Sequence, residues 1–221
     1  VAHPSIPNLY LLTAPVRMRG PAVTEEDFRR MLRKIRQQFD FCLLDAPAGL
    51  GLGFRLAVCG ADRCVVVTTQ DASSLRDAQH TVMELRQFGS GRLHLVVNRV
   101  RKKLLHSMHA TIDDAMDKAG LPLIGVVPED DALPVSLNQG TPLLLRSYNG
   151  AASAYRNIAI RLQGGKAPLL PYSTGFSKQP IPSISQRTTS PGCMYRVGWK
   201  AIPTPEGVPM ATMVPALSVM P

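Results

Sequence analysis

A carboxylate at the tip of a buried strand needs a reason, because it lies against a low-dielectric core. Asp45 has that position: it follows the apolar run Phe41-Cys42-Leu43-Leu44 and precedes Ala46-Pro47-Ala48-Gly49. A magnesium ion held together with the phosphates of a nucleotide would supply the reason. Gly49, with Gly51 and Gly53 close behind, would let the loop bring backbone N–H groups up to a phosphate. An aspartate that caps the next helix or opens a turn fits the same local pattern.

Two further strand ends carry polar groups. Val96-Val97-Asn98-Arg99 closes one of them, and an asparagine amide can pair with the N6 and N7 edge of adenine. Asparagine as a turn former fits equally well. Gly125-Val126-Val127-Pro128-Glu129-Asp130 closes the other; Pro128 could wall off a base, while Asp130 reads as the cap of a helix holding Leu133 and Val135. His106 and His109 with Asp113 and Asp114 look loosely like metal ligands, but lack further ligands at defined spacing, so a solvated helix start is favoured. Ser73-Ser74 has no paired base or G-x-S-x-G context and reads as a helix N-cap.

The elements that position these groups alternate. Asn8–Thr13 is a short β-type run, and Thr24 opens a helix to about Gln38 with Asp27 three residues on, a weak capping box. Phe39–Leu44, Arg63–Thr69, Leu93–Val97 and Leu121–Val127 are apolar runs typical of strands buried on both faces. Leu75, Ala78, Val82 and Leu85 recur at helical spacing from Ser73 on, a short helix is expected over Thr111–Ala119 before Gly120, and Ala151, Tyr155, Ile158, Ala159 and Leu162 line a last helix stopped by Gly164-Gly165. The expectation is an α/β fold: a doubly wound, mostly parallel sheet with helices on both faces.

The net charge of +9 and isoelectric point near 9.8 invite a nucleic-acid or anionic-membrane partner. The densest basic cluster, Arg29, Arg30, Arg33, Lys34 and Arg36, is interleaved with Met31, Leu32 and Ile35, however, and reads as the solvated face of a packed helix, so nucleic acid is disfavoured. Cys42, Cys59, Cys64 and Cys193 form no C-x-x-C pair, which argues for reduced core thiols in a cytoplasmic protein. No apolar run approaches the length of a membrane span, and no secretory signal is visible. The first residue is Val1 rather than Met, so the start reads as artificial or truncated. Beyond Lys166 the character changes: ten of the 19 prolines lie between Pro168 and Pro221 and the single acidic residue is Glu206. The division is therefore a nucleotide-binding domain over 1–165 and a Pro-rich tail over 166–221, disordered or foreign to it.

Taken together, Asp45-Ala-Pro-Ala-Gly49, Val66-Val-Thr-Thr-Gln-Asp-Ala-Ser-Ser-Leu-Arg-Asp77, Gly125-Val-Val-Pro-Glu-Asp130 and Ser136-Leu-Asn-Gln-Gly-Thr-Pro142 resemble the central stretch of MinD-type septum-site ATPases of the ParA/MinD deviant Walker family. The likeness runs from about Asn8 to Leu162. It implies a protein that dimerises around ATP and Mg2+, hydrolyses ATP, associates peripherally with the inner membrane through a C-terminal amphipathic helix, and works with MinC- and MinE-like partners. By matching positions, Asp45 resembles the magnesium-linked Walker B carboxylate and Gly49 the switch glycine near the γ-phosphate. Asn98, Arg99, Pro128, Glu129 and Asp130 resemble the adenine pocket. Two departures stand out: no G-K-[ST] occurs in these 221 residues, and a Pro-rich tail stands where the amphipathic helix is expected. In the family the P-loop strand lies between the strands that end here at Asp45 and Thr69. The expectation is an ATPase portion lacking its phosphate anchor and inactive alone, with a ParA-like partition or flagellar-number relative, or a non-catalytic interaction module, as the alternatives.

Overall fold

The computed structural model describes residues 1–4, 6–13, 23–87, 93–101, 117, 119–169 and, as backbone, 210–215. Helix α1 (Glu25–Arg36) begins where a cap was expected: the Thr24 hydroxyl accepts the Asp27 backbone N–H at 3.1 Å, satisfying an orphan donor of the first turn. Leu32 is buried and packs with Phe28, Met31 and Ile35 onto Cys42 and Leu44. The basic cluster on its outer side is drawn into local pairs. Arg36 binds Asp62 at 2.7 Å, Arg33 binds Glu26 at 3.0 Å, and Arg29 donates to the Cys59 carbonyl at 3.0 Å. Such exposed pairs add little stability each. They do neutralise the face, as the solvated-helix reading anticipates.

After α1 come β1 (Cys42–Asp45), α2 (Leu52–Val58), β2 (Arg63–Thr68), α3 (Ala72–Gln87), β3 (Leu93–Val100), β4 (Leu123–Pro128), α4 (Ala132–Asn138), α5 (Gly150–Leu162) and β5 (Met210–Pro215). The strands form one parallel sheet in the order β1-β5-β2-β3-β4. Alternate residues of a strand enter opposite layers. Cys64, Val66, Leu95 and Val97 meet Phe54, Ala57 and Val58 of α2 and Leu75, Ala78, Val82 and Leu85 of α3. Their neighbours Val65, Val96, Ile124 and Val127 meet Ala151, Ala154 and Ile158 of α5. The expected doubly wound α/β architecture is present.

The end of α5 follows from its two glycines. Gly164 has φ +82°, its N–H bonds the Arg161 carbonyl at 3.0 Å, and the Gly165 N–H reaches back to Ile160 at 2.9 Å. This is a Schellman closure, which needs the left-handed residue that glycine supplies without strain.

Several elements differ from expectation. Asn8–Thr13 is outside the sheet and makes only an isolated antiparallel bridge from Tyr10 to Ala2. Among the described residues strand β1 is covered on one face alone: Leu43 is 63% exposed, with no described helix over that side of the edge strand. Helix α2 was not foreseen, since Gly51 and Gly53 weaken its signal; Phe54, Ala57 and Val58, at helical spacing, bury it. Most of the helix expected over Thr111–Ala119 lies outside the described residues, as do His106, His109, Asp113, Asp114 and Cys193. The largest difference is β5. No regular structure was expected beyond Lys166, yet Met210–Pro215 pairs in parallel with both β1 and β2, in the position the family resemblance assigns to the P-loop strand.

Candidate functional site

Because every strand is parallel, their C-terminal ends share one edge of the sheet, where ligands of open α/β proteins bind. At one side β1 delivers Asp45, exposed, its carboxylate in no hydrogen bond or ion pair with another described residue. Gly49 follows with φ +84° and open space around its Cα, so the turn out of β1 depends on glycine. Among the described residues no group of three His, Cys, Asp or Glu side chains could hold a metal. An ion at Asp45 would therefore need water and phosphate oxygens for its other positions. That is how magnesium travels with a nucleotide, and an unpaired carboxylate suits it.

The end of β2 is built by a capping network. The Asp71 carboxylate accepts the Ser74 backbone N–H at 2.9 Å, the Ser74 hydroxyl at 2.9 Å and the Thr69 hydroxyl. The cap of α3 is thus Asp71, whereas Ser73-Ser74 had been expected in that role; Ser74 supports it from inside the first turn. The Thr69 hydroxyl and then the Ser74 N–H lower the Asp71 pKa from 3.8 to about 2. A depressed carboxylate stabilises the fold above its unfolded pKa and loses that contribution as the pH falls from about 4 through about 2. Since Asp71 is exposed, solvent screening limits the effect. Asp71→Ala is expected to cost about 1 kcal/mol at pH 7, and the gap to the parent should narrow near pH 2. Urea unfolding at the two pH values checks this; a pH-independent gap would assign the loss to something other than the charged cap. Beside this network the Gln70 Oε1 is buried with no hydrogen-bond partner among the described residues, an acceptor between the two halves of the edge that sequence reasoning did not single out.

The other side is organised by a β-bulge. Val97 pairs with Val126 and Val100 with Pro128, so Asn98 and Arg99 together stand opposite Val127 alone. Strand β3 therefore runs through Asn98 rather than ending there. Arg99 takes φ +55°, and its N–H is held by the Asn98 Oδ1 at 2.9 Å. That bond occupies one acceptor position of the Asn98 amide and leaves its NH2 group as the donor available to a base. Arg99 and Arg101 converge on Glu129 at 3.4 and 3.1 Å, and the Glu129 N–H bonds the Val100 carbonyl at 2.9 Å.

Asp130 is committed to the scaffold. One carboxylate oxygen accepts the Ala132 N–H at 3.0 Å from one residue ahead of the cap, which is Asp131 rather than the expected Asp130; the other accepts the Ala151 N–H at 3.0 Å and so ties the start of α5 to the end of β4. Pro128 is buried at the end of its strand. An open cleft of about 490 Å³ adjoins this side, lined by Glu129, Asp130, Asp131, Ser147, Asn149 and Gly150. Its carboxylates would repel phosphates, which suits the base end of a nucleotide. The structure thus brings Asn98, Arg99, Glu129 and Asp130 together. It holds Asp45, and Gly49 after it, three strand positions from β3 and four from β4, roughly 14 and 19 Å at about 4.8 Å per strand.

Comparison with known proteins is decisive. The chain is 37% identical over 163 residues to the septum site-determining protein MinD of Bacillus subtilis, covering 73% of this chain and 61% of that one. It is 33% identical over 169 residues to that of Synechocystis, covering 76% and 64%. The chain is similar to MinD proteins over about three quarters of its length. Among solved structures, the MinD cell division protein of Aquifex aeolicus matches with a TM-score of 0.62 at 28% identity, over 67% of this chain and 64% of that one. A MinC:MinD cell division protein complex from the same organism matches with a TM-score of 0.62 at 28% identity, over 67% of this chain and 62% of that one. No family model matches the chain. The chain spans less than two thirds of the length of these MinD relatives.

Proposed function

We propose that this chain is part of a MinD-type protein and carries the metal-facing and base-facing sides of a magnesium–ATP site in a protein that binds and hydrolyses ATP to place the bacterial division septum. The observation that carries the reading is the exposed, unpaired Asp45 on the same sheet edge as the Asn98–Arg99 bulge, about one nucleotide length away. Asp45 would hold magnesium through water, and Gly49 would let the following turn approach the γ-phosphate. When bound, magnesium neutralises charge on the β- and γ-phosphate oxygens. The Asn98 NH2 group would donate to adenine, with Arg99 and Glu129 fixing the bulge that aims it. Asp130 and Pro128 position this end by joining β4 to α4 and α5.

These 221 residues contain no G-K-[ST], so they supply no P-loop lysine or N–H cradle, and the phosphates lack their main anchor here. The proposal accordingly assigns residues 1–165 to the nucleotide-binding unit and 166–221 to a separate tail. It extends to an ATP-dependent homodimer and to MinC- and MinE-like partners, a MinC:MinD complex being known for the Aquifex relative. It extends also to a cytoplasmic protein with peripheral inner-membrane association; no helix among the described residues is long and apolar enough to cross a membrane. The test is to fuse a P-loop segment from a MinD relative ahead of Val1 and assay magnesium-dependent ATP hydrolysis. A folded fusion that does not hydrolyse ATP contradicts the proposal. In the active fusion, Asn98→Ala should weaken discrimination of ATP over GTP by about 1 kcal/mol, the low end for an amide reading adenine, because half of the amide serves the bulge. Competition between the two nucleotides measures it, and equal discrimination in both proteins removes Asn98 from base recognition.

A further inference from the structure

The side chain of a helix N-cap ordinarily accepts a backbone N–H of the first turn. Asn149 is the N-cap of α5, with φ −108° and ψ 178°, yet its side chain makes no capping bond. The donor it would take, the Ala151 N–H, is held at 3.0 Å by the Asp130 carboxylate instead. The Asn149 amide is therefore left exposed on the cleft that it lines with Glu129, Asp130 and Asp131, in no hydrogen bond with another described residue.

The next residue is glycine, and Asn149 is the one asparagine of the sequence so followed. With no Cβ in the way, the Gly150 main-chain nitrogen is open to the Asn149 side-chain carbonyl carbon. Its N–H is uncommitted as well, in no hydrogen bond with another described residue. The other asparagines lack this combination. Asn98 is followed by Arg99, whose N–H is bonded to the Asn98 Oδ1. Asn8 is followed by Leu9 and Asn138 by Gln139, whose N–H groups bond the Ile6 and Val135 carbonyls. Asn157 precedes the β-branched Ile158 inside α5.

We infer that Asn149-Gly150 is a self-modification site, at which loss of ammonia turns the asparagine into aspartate or isoaspartate and unfastens α5 from β4. The Gly150 nitrogen bonds to the Asn149 Cγ, the Cγ–Nδ2 bond breaks, and ammonia leaves with the proton that Gly150 gives up. Water then opens the cyclic imide. Opening at Cγ gives aspartate; opening at the main-chain carbonyl gives isoaspartate, whose backbone runs through Cβ and Cγ. Either product places a new carboxylate on the cleft with Glu129, Asp130 and Asp131, where like charges repel. Isoaspartate also lengthens the main chain by a methylene where space is short: a Cβ on Gly150 would lie 2.5 Å from the Asp130 Oδ2. The bond lost is the one from the Ala151 N–H to Asp130. The reaction needs water alone and does not depend on a nucleotide at the adjoining edge.

Ageing the full chain in warm, mildly alkaline buffer tests this, with peptide mass spectrometry and hydrogen exchange as the readouts. Asn149 should convert at least about tenfold faster than Asn138, with isoaspartate as well as aspartate among the products. In the isoaspartate form the Ala151 amide should exchange at least about tenfold faster than before, while the amides of α3 keep their protection. Asn149→Ser, aged alongside, should keep Ala151 protected. Asn149→Asp, which adds the charge without the methylene, should fall between the two. Conversion no faster than at Asn138 would overturn the inference, and so would aspartate without isoaspartate, since no ring would then have formed. Unchanged Ala151 exchange in the isoaspartate form would overturn it too, because α5 would remain fastened. Equal loosening in the aged serine variant would do the same, because the cause would lie elsewhere.

Discussion

With a MinD P-loop segment fused ahead of Val1, Asp45→Ala is expected to lower magnesium-dependent ATP turnover by about two to three decades while leaving the fold intact. A metal that neutralises developing phosphate charge contributes several kcal/mol, and about 1.4 kcal/mol corresponds to each decade of rate. Removing the carboxylate that orients the ion should forfeit most of that. The same substitution should leave stability within about 0.5 kcal/mol, because the Asp45 carboxylate is exposed and makes no hydrogen bond or ion pair with a described residue. Rate and urea midpoint, measured on the same preparation, separate the outcomes. Lost stability would give Asp45 a structural role, and unchanged turnover would remove it from the metal site.

The second large effect is structural. Gly125 sits on β4 directly beneath α5, and an added Cβ would lie 2.3 Å from Ile158 Cγ1 and 2.8 Å from its Cδ1. Isoleucine is stiff at χ1 and Ile158 is packed between the helix and Val65, Val96, Ile124 and Val127, so the clash cannot be relieved by one rotamer change. Gly125→Val should therefore push α5 off the sheet and cost about 3 kcal/mol or somewhat more. Asp130 would suffer with it, since its bond to the Ala151 N–H fastens the same helix beside the candidate base cleft. Pairing the change with Ile158→Ala should recover part of the loss, because the two side chains compete for one space. A Gly125→Val protein as stable as the parent would contradict the close approach of β4 and α5.

Much of this architecture was legible because local and tertiary demands agree. Thr24 and Asp27 announce α1, the apolar runs of β2 and β4 announce buried strands, and Gly164-Gly165 announces the end of α5. Asp45 was recognisable from the apolar run it terminates. What escaped depends on neighbours distant in sequence. Asn98 read as a strand end because the bulge exists only in register with β4, where two residues meet one. Asp130 read as a helix cap, a position that Asp131 holds, because its bond to α5 joins residues 21 apart. Leu43 looked buried because nothing in its own strand tells that no described helix covers that side of the sheet edge. Strand β5 is only six residues within a proline-rich stretch without periodicity, and its place is defined by the gap between β1 and β2 rather than by its own sequence.

As proposed, these residues form the metal and base sides of a MinD-type nucleotide site without its phosphate anchor. Titration calorimetry of the 221-residue chain with ATP and magnesium tests this. No binding in the micromolar range is expected, because main-chain and lysine contacts to the phosphates supply the affinity that Asp45, Asn98 and Glu129 cannot. A micromolar dissociation constant for the chain as it stands would contradict it.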